Sequence, residues 1–278
     1  MSESSNPKWA ELLHKAVSEP GTVSAAYSSF HDYSAGNQML ALWQCHARGI
    51  APGPISTYPG WLAKGRHVKR GEKALTLCMP VIVKRRPEQA EEADDSGEVK
   101  ADVMTVFVYR PRWFVLSQTD PNADARPLGP LPLPMWDKTT ALQALEIAEV
   151  AFEDFDGNSM GYACRREVAV SPLAFDYWKT LFHEVGHVLM HTGAASDRPE
   201  ASRALREVEA EAVALICGEA LGLGSQSECR GYIQGWLAQH GSQSIPEASA
   251  KRIFSAADKI LRAGRPARAA ADDEQQAA

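Results

Sequence analysis

Residues 181–193 read LFHEVGHVLMHTG, with His183, His187 and His191 spaced four apart. That period sets three imidazoles on one face of a helix. Phe175, Trp178, Leu181, Phe182, Val185, Val188 and Leu189 surround them, so the helix is expected to be largely buried. Polar groups in such a place need partners. The spacing H-E-x-x-H offers one. Imidazoles at i and i+4 supply two ligands to Zn2+, and the intervening Glu acts as general base toward a metal-bound water. His183 and His187 are therefore the expected ligands and Glu184 the base. His191 lies about 12 Å along the axis from His183, at ~1.5 Å per residue. Bonds of ~2 Å to one ion do not reach across three consecutive turns. His191 is read instead as a core histidine or a partner behind a ligand.

A third ligand should come from another helix. The stretch SRALREVEAEAVALICGEALGL (202–223) supplies Glu207, Glu209, Glu211 and Glu219. Glu211 opens the run Ala212–Cys217, where a carboxylate is desolvated unless a cation pairs with it. The expected set is His183, His187 and Glu211, with Glu207, one turn earlier, as runner-up. Glu209 is expected to face solvent, and Glu219 lies too near the helix end. Tyr162, Tyr177 and His191 are the candidates for stabilising an oxyanion. Peptide-bond hydrolysis is the reaction such a site suits, with a protein or peptide substrate that the residues do not name.

The 278 residues are enough for two domains. At 45% hydrophobic and 23% charged the composition is that of a globular protein. No leader or membrane-spanning run is seen, so a cytoplasmic protein is expected. The five cysteines form no C-x-x-C pair and read as reduced thiols. Helices are expected near 7–18 and 34–48, and β-rich stretches at 74–84, 103–109 and 113–118. Then come a helix over 139–152, a strand pair within 159–171, and helices near 173–191, 202–221, 226–240 and 246–262. The fold class is α+β: an α+β N-terminal domain at 1–120, a proline-rich linker at 121–135, and a mostly helical zincin-like metallopeptidase domain at 136–263. The acidic segment 86–101 reads as a mobile hairpin excursion and 264–278 as a disordered tail.

The net charge of −6 argues against a nucleic-acid binder, but the charge is unevenly spread. Between Gly60 and Arg86 eight Lys and Arg, including Lys64, Arg66, Lys69, Arg70 and Lys73, face only Glu72. Tyr33, Tyr58, Trp61, Tyr109 and Trp113 interleave with this stripe or flank it. Bases stack on aromatic rings while Lys and Arg follow the phosphates, which is the chemistry of single-stranded DNA binding.

Several ordered motifs strengthen that reading. Tyr33-Ser34-Ala35-Gly36-Asn37-Gln38-Met39-Leu40 resembles the Y-S-x-x-N-x-x-L element of ArdC-type antirestriction proteins. Thr57-Tyr58, Trp61 and Val68-Lys69-Arg70-Gly71-Glu72-Lys73 resemble their T-Y…W…V-[RK]-[KR]-G-E-K-G element, with Ala74 in place of its last glycine. Phe114–Thr119 resembles their F-x-x-x-Q-T element. The resemblance spans about residues 7–220. It implies a single-stranded DNA-binding domain, with Tyr33, Asn37, Tyr58, Trp61, Lys64, Arg66, Lys69, Arg70 and Lys73 as expected contacts. A SprT-like zinc metallopeptidase domain follows, and the implied role is protection of incoming plasmid DNA from restriction. A DNA-recruited protease is the alternative.

Overall fold

The computed structural model describes residues 7–84, 103–123, 125, 128, 132–153, 159–192, 202–240 and 244–266. In chain order its elements are α1 (Trp9–Ser18), α2 (Thr22–Phe30), α3 (Ala35–Arg48), β1 (Ile55–Thr57), α4 (Tyr58–Ala63), β2 (Arg66–Val68), β3 (Leu75–Lys84), β4 (Val103–Val115) and β5 (Thr119–Pro121). Then follow α5 (Lys138–Ala144), β6 (Ala148–Glu149), β7 (Gly161–Cys164), β8 (Glu167–Val170), α6 (Tyr177–His191), α7 (Arg203–Leu221), α8 (Gln226–Gln239) and α9 (Glu247–Ala263). The fold is α+β, as expected. Among the described residues no helix is long and apolar enough to cross a membrane.

Three details differ from the sequence reading. The two β-rich stretches at 103–118 are one strand, β4, kept continuous by a bulge where its register against β3 shifts between Leu75 and Thr76. Helix α5 stops at Ala144 rather than 152, because Glu146 takes a positive φ of 55° and the chain turns into β6. Helices α2 and α4 were not anticipated, since both are short and begin beside Gly or Pro. The acidic excursion at 86–101 and most of the tail after Gly264 lie outside the described residues.

The chain divides into two compact units, Met1–Pro54 with Arg126–Ala278, and Ile55–Ala125. The sequence reading divided the chain linearly, into 1–120 and 136–263. The first three helices pack with the C-terminal ones: α1 and α3 against α9, and α2 against α7.

Capping explains the grouping. A helix start leaves N–H groups without internal partners, and the N-cap residues Lys8, Gly21 and Ser34 make no side-chain cap bond. Carboxylates from distant helices do it instead. Glu247 accepts from Ala10 N at 2.8 Å, Glu219 from Val23 N at 2.9 Å, and Asp258 from Ala35 N at 3.1 Å. Glu219 also pairs with Arg230, whose Nη1 donates to Ala16 O at 2.9 Å near the end of α1. One buried ion pair thus places a negative charge at the start of α2 and a positive one at the end of α1, each favourable to the local helix dipole.

Helix α7 lies at the centre of this unit, buried from Val208 to Ala220 and packed on α1, α2, α6, α8 and α9. Beside α6 sits a small sheet of order β6-β8-β7, with β7 antiparallel to β8 and, among the described residues, not paired on its other side. In the β unit, β1-β4-β3 form an antiparallel sheet and β2-β5 a second pair. Trp61 of α4 is buried in it, its indole N–H donating to Phe114 O at 2.8 Å.

Glu219→Ala leaves Arg230 charged and buried without its partner, and should cost about 3–5 kcal/mol in urea denaturation. Glu247→Ala removes only a partly exposed cap and should cost about 1 kcal/mol.

Candidate metal centre

Helix α6 is started by Asp176, which accepts from Lys179 N at 2.9 Å, and α7 by Ser202, which accepts from Leu205 N at 3.1 Å. Where the two helices meet, Gly186 faces Ala210 and Val213, and a Cβ there would already touch both at 3.4 Å. Small residues at this crossing let α6 lie close on α7, so that its histidines reach the α7 glutamates.

The Nε2 atoms of His183 and His187 face each other at 3.0 Å. Glu207 Oε2 lies 3.4 Å from the first and 3.5 Å from the second. Four-coordinate zinc with bonds of ~2.0–2.1 Å places its ligands ~3.3 Å apart. The three separations fit a divalent cation between these donors, and among the described residues His183, His187 and Glu207 form the one cluster close enough to hold one.

The expected third ligand, Glu211, takes a different place. Its Oε2 meets His183 at Nδ1, at 2.9 Å, and its Oε1 lies 3.3 Å from Lys179 Nζ. It therefore backs the ring instead of sharing its Nε2 side. The desolvation argument correctly found a buried carboxylate that needs a partner, but histidine and lysine supply that partner. Glu207, half-exposed at the cleft edge, lacked that signal.

His187 is backed in the same way. Its Nδ1 lies 2.9 Å from His191 Nδ1, and His191 Nε2 lies 2.8 Å from Glu209 Oε2. Glu209, expected in solvent, is 0% exposed and also accepts from Arg252 Nη2 of α9 at 3.0 Å. Both ligand rings thus have their far nitrogen engaged, which fixes the ring orientation and leaves Nε2 for a cation. His191 serves as a backing partner, as read from its spacing. Lys179, one turn before His183, was legible on the same face. Arg252, sixty-one residues after His191, was not.

Glu184 is buried at the wall of a cleft of about 1130 Å³ that also includes Gly161, Tyr162, Arg203 and Arg206. Strand β7 runs so close that a Cβ on Gly161 would fall 2.9 Å from Glu184 Oε1. Burial pushes the Glu184 carboxyl up, against the pull of His183 and His187, which suits a base that must also release its proton. Burial acts to lower His183, but Glu207 and Glu211 outweigh it and hold the imidazole at about 9. Hydrogen bonds from His183 and His187 keep Glu207 well below the usual carboxylate range. Of the oxyanion candidates, Tyr162 and His191 line the cleft. Tyr177 does not, and its hydroxyl is held by Lys138 and Glu149.

The expected DNA contacts come from both compact units. Tyr33 and Asn37 belong to the helical unit, and Tyr58, Trp61, Lys64, Arg66, Lys69, Arg70 and Lys73 to the β unit. Trp61 is only 1% exposed and cannot stack on a base. Its aromatic ring is part of the core instead, with Lys64 Nζ 5.2 Å from the ring centre. Arg66 is tied to Thr119 and Lys69 donates to Ser117 O at 2.9 Å. Tyr58, Lys64, Arg70 and Lys73 are exposed.

Comparison with known proteins agrees with the fold and the motifs. Residues 3–110 match the N-terminal domain of anti-restriction factor ArdC, a segment that straddles the two compact units. The Mn(II)-bound crystal structure of antirestriction ArdC from plasmid R388 matches at a TM-score of 0.52 and 18% identity, covering 91% of this chain and 95% of that one. The metal-free structure of the same protein matches at 0.49 and 19%, covering 92% and 94%. No curated protein sequence matches. Residues 3–110 thus belong to the ArdC N-terminal domain family, and the chain as a whole shares the fold of the R388 protein.

In the metal-stripped full chain, Glu207→Gln should abolish tight Zn2+ or Mn2+ binding in calorimetric titration. Glu211→Gln and His191→Ala, which act behind the rings, should weaken it ~10–100-fold. Loss with Glu211→Gln and retention with Glu207→Gln would return the ligand role to Glu211. A cation must also displace the His183 proton, because only the neutral ring is a ligand. Apparent affinity should therefore rise ~10-fold per pH unit as pH increases toward about 9, then level off. A flat profile between pH 6 and 8 would contradict this.

Proposed function

We propose that this chain is a cytoplasmic antirestriction protein. In this reading its β unit occupies single-stranded DNA, and its helical unit carries a divalent-metal centre of hydrolytic type. The observation that carries the reading is a local basic stripe in an acidic chain. Between Gly60 and Lys73 the β unit holds Lys64, Arg66, Lys69, Arg70 and Lys73 against Glu72 alone, while the whole chain is at −6. Such a stripe is drawn to phosphate. The antirestriction role is supported by the match of residues 3–110 to the ArdC N-terminal domain.

At the metal centre, His183, His187 and Glu207 would hold the cation. The R388 protein's Mn(II) supports a divalent metal, and two imidazoles with a carboxylate suit Zn2+ as well. When bound, the cation supplies Lewis acidity to the cleft. The protein's own contribution is Glu184, whose carboxylate accepts a proton from water and returns it to a leaving amine. Gly161 leaves room for that carboxylate, and the backed rings hold their orientation throughout.

A second reading, a DNA-recruited metalloprotease, is favoured by the cleft itself, which runs past Glu184 along the side of β7 that no described strand pairs.

Protection of unmodified plasmid in a restricting host separates the two. If occupancy of DNA is the function, Glu184→Gln should keep full protection, while neutralising Lys64, Arg70 and Lys73 together should remove it. Loss of protection in Glu184→Gln, with metal and DNA binding intact and a ~10²–10⁴-fold slower hydrolysis, would make proteolysis the function.

A further inference from the structure

With Trp61 in the core, the aromatic surface that single-stranded DNA binding requires must lie elsewhere in the β unit. The register of β3 and β4 locates a candidate. Pro80 pairs with Phe107, Cys78 with Tyr109 and Ile82 with Thr105, and paired residues share a face. Buried Leu75, Leu77, Trp113 and Val115 define the inner side of this sheet. Counting outward by alternation, Phe107, Tyr109, Pro80 and Ile82 stand on the other side. The bulge adds one residue to β4, so that Arg112 also alternates away from buried Trp113 and joins them.

This outer face is open. Phe107 is 71% exposed and Ile82 73%, values unusual for large apolar side chains, and Tyr109, Pro80 and Arg112 are exposed as well. An aromatic and apolar strip of this kind marks an interaction surface. We propose that the outer face of the β3–β4 ribbon is a stacking platform for the bases of single-stranded DNA, with Phe107 as its principal ring and Arg112 toward the phosphates.

Three observations select this occupant. Same-face neighbours on a strand lie two rises apart, ~6.8 Å, which leaves room for one base between the levels of Phe107 and Tyr109 at a stacking repeat of ~3.4 Å. Arg110 and Arg112 stand exposed on β4 beside the strip, which complements phosphate. In addition, Pro80 removes a backbone donor from β3, so that edge of the ribbon is poorly suited to adding a strand from a protein partner.

The inference rests on the DNA-binding reading and is tested so that the two can fail separately. Fluorescence anisotropy of a labelled oligothymidylate, titrated with the full chain at several salt concentrations, reads affinity and salt slope together. Phe107→Ala should weaken binding ~5- to 100-fold with an unchanged slope, because stacking releases no counterions. Phe107→Trp should restore it. Arg112→Ala should flatten the slope by ~0.7. Phe175→Ala, at a residue 90% exposed on the helical unit, should change neither.

If the wild-type chain binds, the Lys64/Arg70/Lys73 variant does not, and Phe107→Ala binds as wild type, the platform is refuted and the DNA-binding reading stands. If the wild-type chain fails to bind at low salt, the reading itself falls. A wild-type dimer in sedimentation that Phe107→Ala dissociates, with DNA affinity unchanged, would assign the face to a second copy and overturn the proposal.

Discussion

Helix α7 is buried on every side, yet it carries Glu209, Glu211 and Glu219 along its buried length. A carboxylate taken from water costs several kcal/mol unless cations or N–H groups replace the lost hydration. Each of these residues therefore recruits a partner from a different helix. Glu219 takes the start of α2 and Arg230 of α8, Glu209 takes His191 of α6 and Arg252 of α9, and Glu211 takes His183 and Lys179 of α6. The packing of the helical unit follows from satisfying those three charges.

The same constraint shapes the metal centre. Glu209 and Glu211 are occupied behind the rings, so the half-exposed Glu207 is the carboxylate left to meet both Nε2 atoms. Fixing the far nitrogens of His183 and His187 also removes the rotation that would misplace the donors. Glu184 is set apart from this network and stands against the backbone of β7, where glycine alone fits. In the proposed reading, ligand holding and proton transfer fall to different carboxylates of neighbouring helices.

Charge is unevenly placed along the chain. Acidic residues of α7 and α9 cap α1, α2 and α3 and back imidazoles, while the stretch Gly60–Lys73 gathers five Lys and Arg against Glu72. A chain whose net charge is −6 thus carries a local stripe of the opposite sign. The average charge of a sequence says little about any one of its faces.

Much of this was legible in residue spacing. The i, i+4 histidines with Glu184 between them specify a helix and two donors by local geometry alone, and the period of apolar residues placed α1, α3 and α6–α9. His191 was set behind the pair rather than beside it because the rise of a helix is a local quantity, and it meets His187 at Nδ1. What tertiary structure decided concerns contacts between segments distant in sequence. Whether Glu207 or Glu211 meets the Nε2 atoms depends on how α7 is rotated against α6. Whether Trp61 is core or surface depends on the sheet that covers it. The first three helices join the last four because Glu219, Glu247 and Asp258 cap them across some two hundred residues. A carboxylate's need for a partner is written in the sequence; which partner it finds is set by packing, because burial creates the need and only the folded chain brings the donors within reach.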